Sequence, residues 1–203
     1  MRKIVVILLV VTAIVGGAVF MRLALQAPQS MPQRATMLQQ PLALPAFKLR
    51  DHNGEPFDNE SFNGNWSLVF FGFTNCPDIC PATLQQLSIA RKRVMQAGES
   101  GFPDIVLISV DPERDTPEVM ASYVANFGEG ITGVTGSLEE IHELTSSIGI
   151  YFHKSTGGDG HQDVQHSAAV LVINKSGEMS ALFSAPHRID HFVNDIPLLM
   201  GSG

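Results

Sequence analysis

Cysteine is scarce in this chain: Cys76 and Cys80 are the only two in 203 residues. So sparse a thiol content excludes a small disulfide-stapled scaffold, and a chain of this length has little need of such a staple. Positive charge is short as well. Thirteen Lys and Arg stand against twenty Asp and Glu, a formal net charge of -7. A nucleic-acid binder would need a basic face, so that class is set aside. There is no long run of like charge to form an anionic tail, and no repeat at a fixed period. What is plentiful is apolar side chain. With 44% of residues hydrophobic and 16% charged, the chain can fill the core of one domain beyond its amino-terminal segment.

That segment opens Met1-Arg2-Lys3, runs uncharged and apolar over residues 4–21, and meets Arg22. As a helix such a run spans roughly 27 Å, close to one hydrocarbon core. The two leading cations keep the amino terminus cytoplasmic and send the rest across. A cleaved signal peptide would carry a shorter apolar region and a small-x-small site, of which Leu25-Gln26-Ala27 is a poor version. Residues 1–22 are therefore read as a single transmembrane anchor. Residues 23–44, rich in Gln and Pro, read as a flexible tether, and 45–203 as the folded domain. Met21, Met31 and Met37 are read as incidental to any metal. No Arg- and Ser-rich transit peptide is present, which points to a bacterial inner membrane with the domain in the periplasm or extracytoplasmic space. Export puts the cysteines where disulfides persist, so thiols that must work reduced need a reductant.

The pair lies in Phe71-Gly72-Phe73-Thr74-Asn75-Cys76-Pro77-Asp78-Ile79-Cys80-Pro81. An apolar run, 66–71, leads in, and an amphipathic segment, 82–95, follows. This is strand, reactive turn, helix, which lifts side chains to the carboxyl edge of an open α/β sheet. On one helical face the two thiols would stand about 5–6 Å apart at Cβ, able to close a disulfide or chelate a metal. Pro81 disfavours helix at Cys80 and suits a first helical position, so the regular helix is placed from about Pro81. The turn then sits at the positive end of the helix dipole, where thiolates are favoured. A static disulfide across so short a loop would restrain the unfolded chain little.

Around the turn the order reads hairpin, β, α, β, α, α, β, β, β, α. Phe47 and Leu49, the turn Asn53-Gly54 and Phe57 make an amino-terminal hairpin. Leu84, Leu87, Arg91 and Val94 keep a helical spacing, with Arg91, Lys92 and Arg93 reaching water. Residues 105–110 form a buried parallel strand. Helices follow at about 117–127, behind Asp115 or Thr116 as cap, and from the Ser137 capping box to Gly149. A short strand at 150–152, a flexible loop at 155–160, a hairpin of 168–173 with 179–183, and a helix over about 188–199 complete the chain.

Seven histidines occur, and His166 stands out because it directly precedes the strand expected at 168–173. In a thioredoxin-like arrangement that rim faces the cysteine turn. Two thiolates and one imidazole suit Cu(I), whereas Zn(II) would want a fourth ligand. His153 and His161 flank the glycine-rich loop as weaker candidates. His187 and His191, four apart, would share a face of the last helix.

These residues resemble the Sco (SenC/PrrC) family, membrane-anchored copper proteins used in assembling cytochrome c oxidase. The resemblance rests on Phe71 to Pro81, on Ser109-Val110-Asp111-Pro112-Glu113-Arg114-Asp115-Thr116-Pro117, and on His166-Ser167. Tyr123, Phe127 and Ile131-Thr132-Gly133 also match family positions. It covers roughly residues 46–199 together with the anchor. It implies an α/β, thioredoxin-like fold, here with an added amino-terminal β-hairpin and a preceding transmembrane helix. It also implies copper held by Cys76, Cys80 and His166, with Asp78 adding negative charge and the Asp111 to Pro117 segment shaping the adjacent loop. Two departures are Asn75, where the family often has His, and Gln165, where it often has Asp; both can tune the site by altering the polarity around the ligands.

The implied activity is a copper metallochaperone delivering to the Cu(A) site of an oxidase subunit, served by an upstream copper donor and a thioredoxin-type thiol reductant. The alternative is a thiol–disulfide reductase, with Cys76 and Cys80 as its redox pair, maintaining the acceptor's cysteines. Against that stand the Cys-x3-Cys spacing and the lack of a proline before the strand at His166-Ser167. A peroxidase is disfavoured because Thr74 lies only two residues before Cys76. A copper-dependent sensor is a third reading.

Overall fold

The structure, a computed structural model, describes residues 12, 14–17, 21, 31–99, 101–156, 162–166 and 168–201, with the backbone alone described at 153–156 and 162–166. The chain divides into two compact units, Met1–Met31 and Pro32–Gly203. The expected anchor at 1–22 lies outside the described residues except for 12, 14–17 and 21, which are helical. Among the described residues no helix is long and apolar enough to cross a membrane.

The second unit runs β1 (Ala35–Ala43), β2 (Lys48–Asp51), β3 (Pro56–Asp58), β4 (Ser67–Gly72), α1 (Ile79–Gln96), β5 (Asp104–Ser109), α2 (Pro117–Val124), β6 (Ile131–Thr135), α3 (Leu138–Ser147), β7 (Phe152–Thr156), β8 (Gln162–His166), β9 (Val170–Ile173), β10 (Glu178–Phe183) and α4 (Ile189–Gly201). Eight strands form one sheet in the order β1-β10-β9-β4-β5-β6-β2-β3. The α/β class is as expected. The centre is β4, parallel to β5 and antiparallel to β9, so that Phe70 stands level with both Leu107 and Val170. All six of its residues are buried. An uninterrupted apolar run is what a strand covered on both faces requires.

The amino-terminal hairpin forms where Asn53-Gly54 placed it. The Asp51 carboxylate accepts the backbone N–H groups of Asn53 and Glu55 at 2.8 and 2.9 Å, and Gly54 takes φ +86°. The left-handed conformation there costs glycine nothing. Leu49 and Phe57 pair across it, and Arg50 stands opposite Thr135, so the hairpin extends the main sheet beyond β6.

Four features depart from the sequence reading. The tether expected through residue 44 ends earlier, because β1 pairs with β10 from Ala35↔Phe183 to Ala43↔Glu178. Of its nine residues only Ala35 is buried, so it shows no apolar alternation. Its hold is polar. Asp195, buried on α4, accepts backbone N–H groups from Gln33, Arg34 and Ala35 at 3.1, 2.6 and 2.8 Å. Strand β6 was not anticipated either; Gly133 interrupts its short apolar pattern, and a Cβ there would lie 3.0 Å from Met120 Cβ. The strand expected at 150–152 runs instead from Phe152 to Thr156 and pairs with β8 in a separate ladder, whose polar residues carry no strand signal; of the loop expected at 155–160, residues 157–160 lie outside the described residues. Arg91, expected to reach water, is half-buried and also donates to the carbonyls of Glu129 and Gly130 at 3.2 and 3.0 Å.

Candidate metal centre

The chain leaves the carboxyl end of β4 at Gly72, whose carbonyl accepts the N–H of Val110 at 2.8 Å. It then turns, with Cys76 N–H on the Phe73 carbonyl at 3.3 Å, and enters α1 at Ile79. The helix thus starts earlier than Pro81, which occupies its third position. Proline is tolerated in a first turn because no helical carbonyl awaits its missing N–H. Asp78 is the cap residue but makes no side-chain cap bond. A sulfur takes that place: Cys76 Sγ accepts the N–H of Cys80 at 3.4 Å.

The two cysteines form no disulfide and are unequal. Cys80 is fully buried, whereas Cys76 is half-buried among exposed Asn75, Pro77, Asp78 and Ile79. A hydrogen bond with Cys76, and then burial, push the Cys80 thiol far above its ordinary range. The expectation that the helix dipole favours both thiolates therefore fails at Cys80, where the hydrogen bond with Cys76 and the loss of water outweigh a partial charge at a helix end. Its sulfur lies over the backbone of Gly72, where an added Cβ would be 2.9 Å from Cys80 Sγ, 3.0 Å from Phe70 Cε1 and 3.2 Å from Leu107 Cδ1. Gly72→Ala is accordingly expected to lower stability by about 1–3 kcal/mol through overpacking. It should also displace the sulfur and weaken metal uptake. Urea unfolding and a metal titration check this, and wild-type behaviour in both would refute it.

The turn is held from the next strand. Asp115, buried in the loop after β5, accepts Thr74 N–H at 3.0 Å, the Thr74 hydroxyl at 2.5 Å and the Ser109 hydroxyl at 2.5 Å. Ser109 Oγ in turn accepts the N–H of Asp111 at 3.0 Å, and Arg114 pairs with Asp111. Thr116 then caps α2 on Val119 N–H at 3.4 Å. The motif is structural, as read, but its fifth residue from Asp111 buckles the cysteine loop itself. A buried Asp among Pro, Arg and Thr at a strand's carboxyl end was the available signal.

His166 ends β8, in register with Phe152. It is separated from β9 by three residues, not one, because β9 begins at Val170. Val170 stands level with Phe70, so the chain approaches β9 from the same carboxyl edge of β4 that carries the cysteines. Phe152 packs edge-on against the His142 ring at 5.9 Å, which ties β7 to α3. The side chains of His166, His153 and Gln165, and all of His161, lie outside the described residues. Among the described residues no group of three His, Cys, Asp or Glu is arranged to hold a metal ion. His187 and His191 do not form the expected helical pair: α4 begins at Ile189, and His187 Nε2 donates to the Ala168 carbonyl at 2.5 Å. Burial lowers the His187 pKa. A groove of about 720 Å³ between the β2–β3 hairpin and the 112–117 loop is lined by Lys48, Arg50, Asp115 and Glu140 but by neither cysteine.

The sequence reading also left Tyr123 without a role. Its ring packs against Phe127 at 5.2 Å, and its hydroxyl is sealed from solvent without a hydrogen-bond partner. Burial first, then the negative charges of Cys80, Cys76 and Asp115, raise its pKa.

Residues 35–201 match the SCO1/SenC family. The chain belongs to that family. Among its relatives is the mitochondrial SCO2 homolog of Bos taurus, 34% identical over 197 residues, covering 93% of this chain and 73% of that protein. Among solved structures, Arabidopsis thaliana ScoI with copper bound is 30% identical with a TM-score of 0.73, covering 79% of this chain and 99% of that one. Yeast Sco1 with copper bound is 26% identical with a TM-score of 0.72, covering 80% and 91%. The family match begins at Ala35, where β1 does, so β1 is part of the shared fold.

Proposed function

We propose that this chain is a copper metallochaperone that holds copper through Cys76, Cys80 and His166 and passes it to the Cu(A) site of a cytochrome c oxidase subunit. The observation that carries this reading is the pair of thiols at the sheet edge, not joined in a disulfide, one buried against Gly72 and one half-buried. Two sulfurs form a soft donor set, which suits Cu(I) at low coordination number. The copper-bound Sco relatives support the same metal. The inequality of the sulfurs suits transfer. Cys80 is shielded, while Cys76 is open to an incoming thiol, so ligand exchange begins at one defined side. Asp78, exposed between them, adds negative charge beside a cation.

The apolar run at 4–21, with its leading cations, supports an inner-membrane anchor with the domain on the extracytoplasmic side. There the pair depends on a thiol reductant, because only thiolates bind metal.

The test is an anaerobic Cu(I) titration of the full chain in detergent, reduced and oxidised, run beside an insulin-reduction assay. One tight copper per reduced chain, none when the pair is a disulfide, and negligible disulfide turnover are expected. His166→Ala should weaken binding and change the Cu(II) spectrum. Weak copper binding with brisk insulin reduction would make the protein a reductase instead, and an unchanged His166→Ala variant would remove that residue from the site.

A further inference from the structure

Helices α1, α2 and α3 begin beyond the carboxyl ends of β4, β5 and β6. Those strands are parallel neighbours, with Gly72 level with Ser109 and Ile108 level with Val134. The three first turns therefore share the edge that carries Cys76. Each leaves one large apolar side chain in contact with water: Ile79, Val119 and Leu138 are 40%, 40% and 39% exposed. A single exposed apolar residue needs no explanation, but several around a reactive thiol mark a surface that another molecule covers. That surface is continuous. Thr74 is bonded to Asp115, so the cysteine turn abuts the loop before α2. The groove of about 720 Å³ then joins this loop to the start of α3, lined by Pro112 and Pro117 of the one and Gly136 and Ser137 of the other.

The charge on this edge is mainly negative. Asp78, Glu113, Glu118 and Glu139 are exposed in the same loops and first turns. The cations nearby are engaged: Arg114 pairs with Asp111, Lys48 stands opposite Asp58 across the hairpin, and Arg50 reaches back to the Gly54 carbonyl at 3.1 Å. Arg91, Lys92 and Arg93 lie at the far end of α1, about 18 Å along its axis from Ile79. Lys175 follows Ile173, which stands level with Ser67 at the opposite end of β4. The helix dipole accounts for Glu118 and Glu139 in first turns, but not for the exposed Val119 and Leu138 beside them.

We propose that this edge is the docking face for the protein that takes metal from Cys76 and Cys80, and that the partner meets it with an apolar centre ringed by Lys and Arg. The inference rests on the reading of the cysteine pair as a metal-exchange site. Ile79, Val119 and Leu138 supply the apolar contact. The carboxylates steer and orient the encounter, so that the partner's thiols arrive at half-buried Cys76. As the metal crosses, the two protons that leave those thiols end on Cys76 and Cys80. A second copy of this chain would set carboxylate against carboxylate at the same edge, which opposes it.

The test uses the full chain in non-ionic detergent, loaded with Cu(I) or with Cd(II). It follows anaerobic transfer to a Lys-flanked peptide carrying two cysteines and a leucine, or to its Glu-flanked counterpart. At low salt the Lys-flanked peptide should take metal at least about tenfold faster, an advantage lost at high salt. Glu118→Lys with Glu139→Lys should remove most of that advantage. Glu99→Lys with Asp104→Lys makes the same change in net charge at exposed sites beyond the end of α1 and at the start of β5, and should leave most of it. Val119→Ser with Leu138→Ser should keep the salt dependence and raise the half-saturating peptide concentration several-fold. No preference for the Lys-flanked peptide, an equal loss in both charge-reversed proteins, or an unchanged serine variant would overturn the inference. So would a fall in Cd(II) affinity large enough to explain the altered transfer, or a dimer in sedimentation that the serine variant dissolves. Wild-type protein that holds Cd(II) but not Cu(I) would defeat the copper function and leave the docking face to be judged on Cd(II); protein that holds neither would defeat both.

Discussion

Replacing either cysteine with alanine is expected to abolish tight copper binding while leaving the fold intact. In the proposed site each sulfur would supply a ligand that nothing nearby replaces: among the described residues no third metal-binding side chain clusters with the pair. The structural costs are modest and different. Cys80→Ala opens a void about the size of a methyl group beneath Gly72, worth about 1 kcal/mol. Cys76→Ala removes the acceptor of the Cys80 N–H, a lost cap costing about 1 kcal/mol. A chelator competition and a urea curve on each variant separate metal loss from unfolding; tight copper retained in either one would remove that sulfur from the site. The wild type carries a pH signature too. Metal must displace the proton of Cys80, whose thiol is pushed far up, so apparent copper affinity should fall as pH falls, by up to about tenfold per unit for each proton released. Folding shows the opposite sign. Above the ordinary thiol value of about 8.5 the unfolded chain loses this proton while the folded chain keeps it. The metal-free protein should therefore lose stability as pH rises through that range, and Cys80→Ala should remove that component.

Asp115→Ala is the second large effect, and it lies outside the ligand set. The carboxylate is buried and receives three hydrogen bonds, two from Thr74 and one from Ser109. Removing it leaves those donors buried without partners, at a cost of about 3–5 kcal/mol. The turn carrying Cys76 also loses the two Thr74 bonds that tie it to the loop after β5. Copper affinity should fall with it, even where enough protein remains folded to be titrated at low temperature. Thr74→Val is the milder control. It removes the hydroxyl but keeps the backbone N–H on Asp115, and should cost about 1 kcal/mol. Unchanged copper affinity in folded Asp115→Ala protein would mean that Asp115 does not act through the turn.

The local chemistry of this protein was legible in its sequence. An apolar run before two cysteines four apart, with a proline that fits a helix's first turn, placed the strand, turn and helix. Asn53-Gly54 placed the hairpin, and the stretch Asn174 to Gly177 placed the β9–β10 turn, where Asn174 Oδ1 accepts from Ser176 and Glu178 N–H at 2.9 and 3.0 Å. Such signals are short-range, carried by residues whose conformational preferences act within a few positions. What escaped depends on partners distant in the chain. Strand β1 is exposed and shows no apolar alternation, and exists because β10 offers it an edge and Asp195, 160 residues on from Ala35, gathers its N–H groups. Strand β6 hides its pattern behind a glycine that Met120 requires. The inequality of the thiols, the grip of Asp115 on Thr74 and the orphaned Tyr123 hydroxyl arise from burial and from side chains meeting across the sheet's edge. Spacing along a chain determines which residues share a turn; only packing decides which of them lose their water, and with it their pKa and their partners.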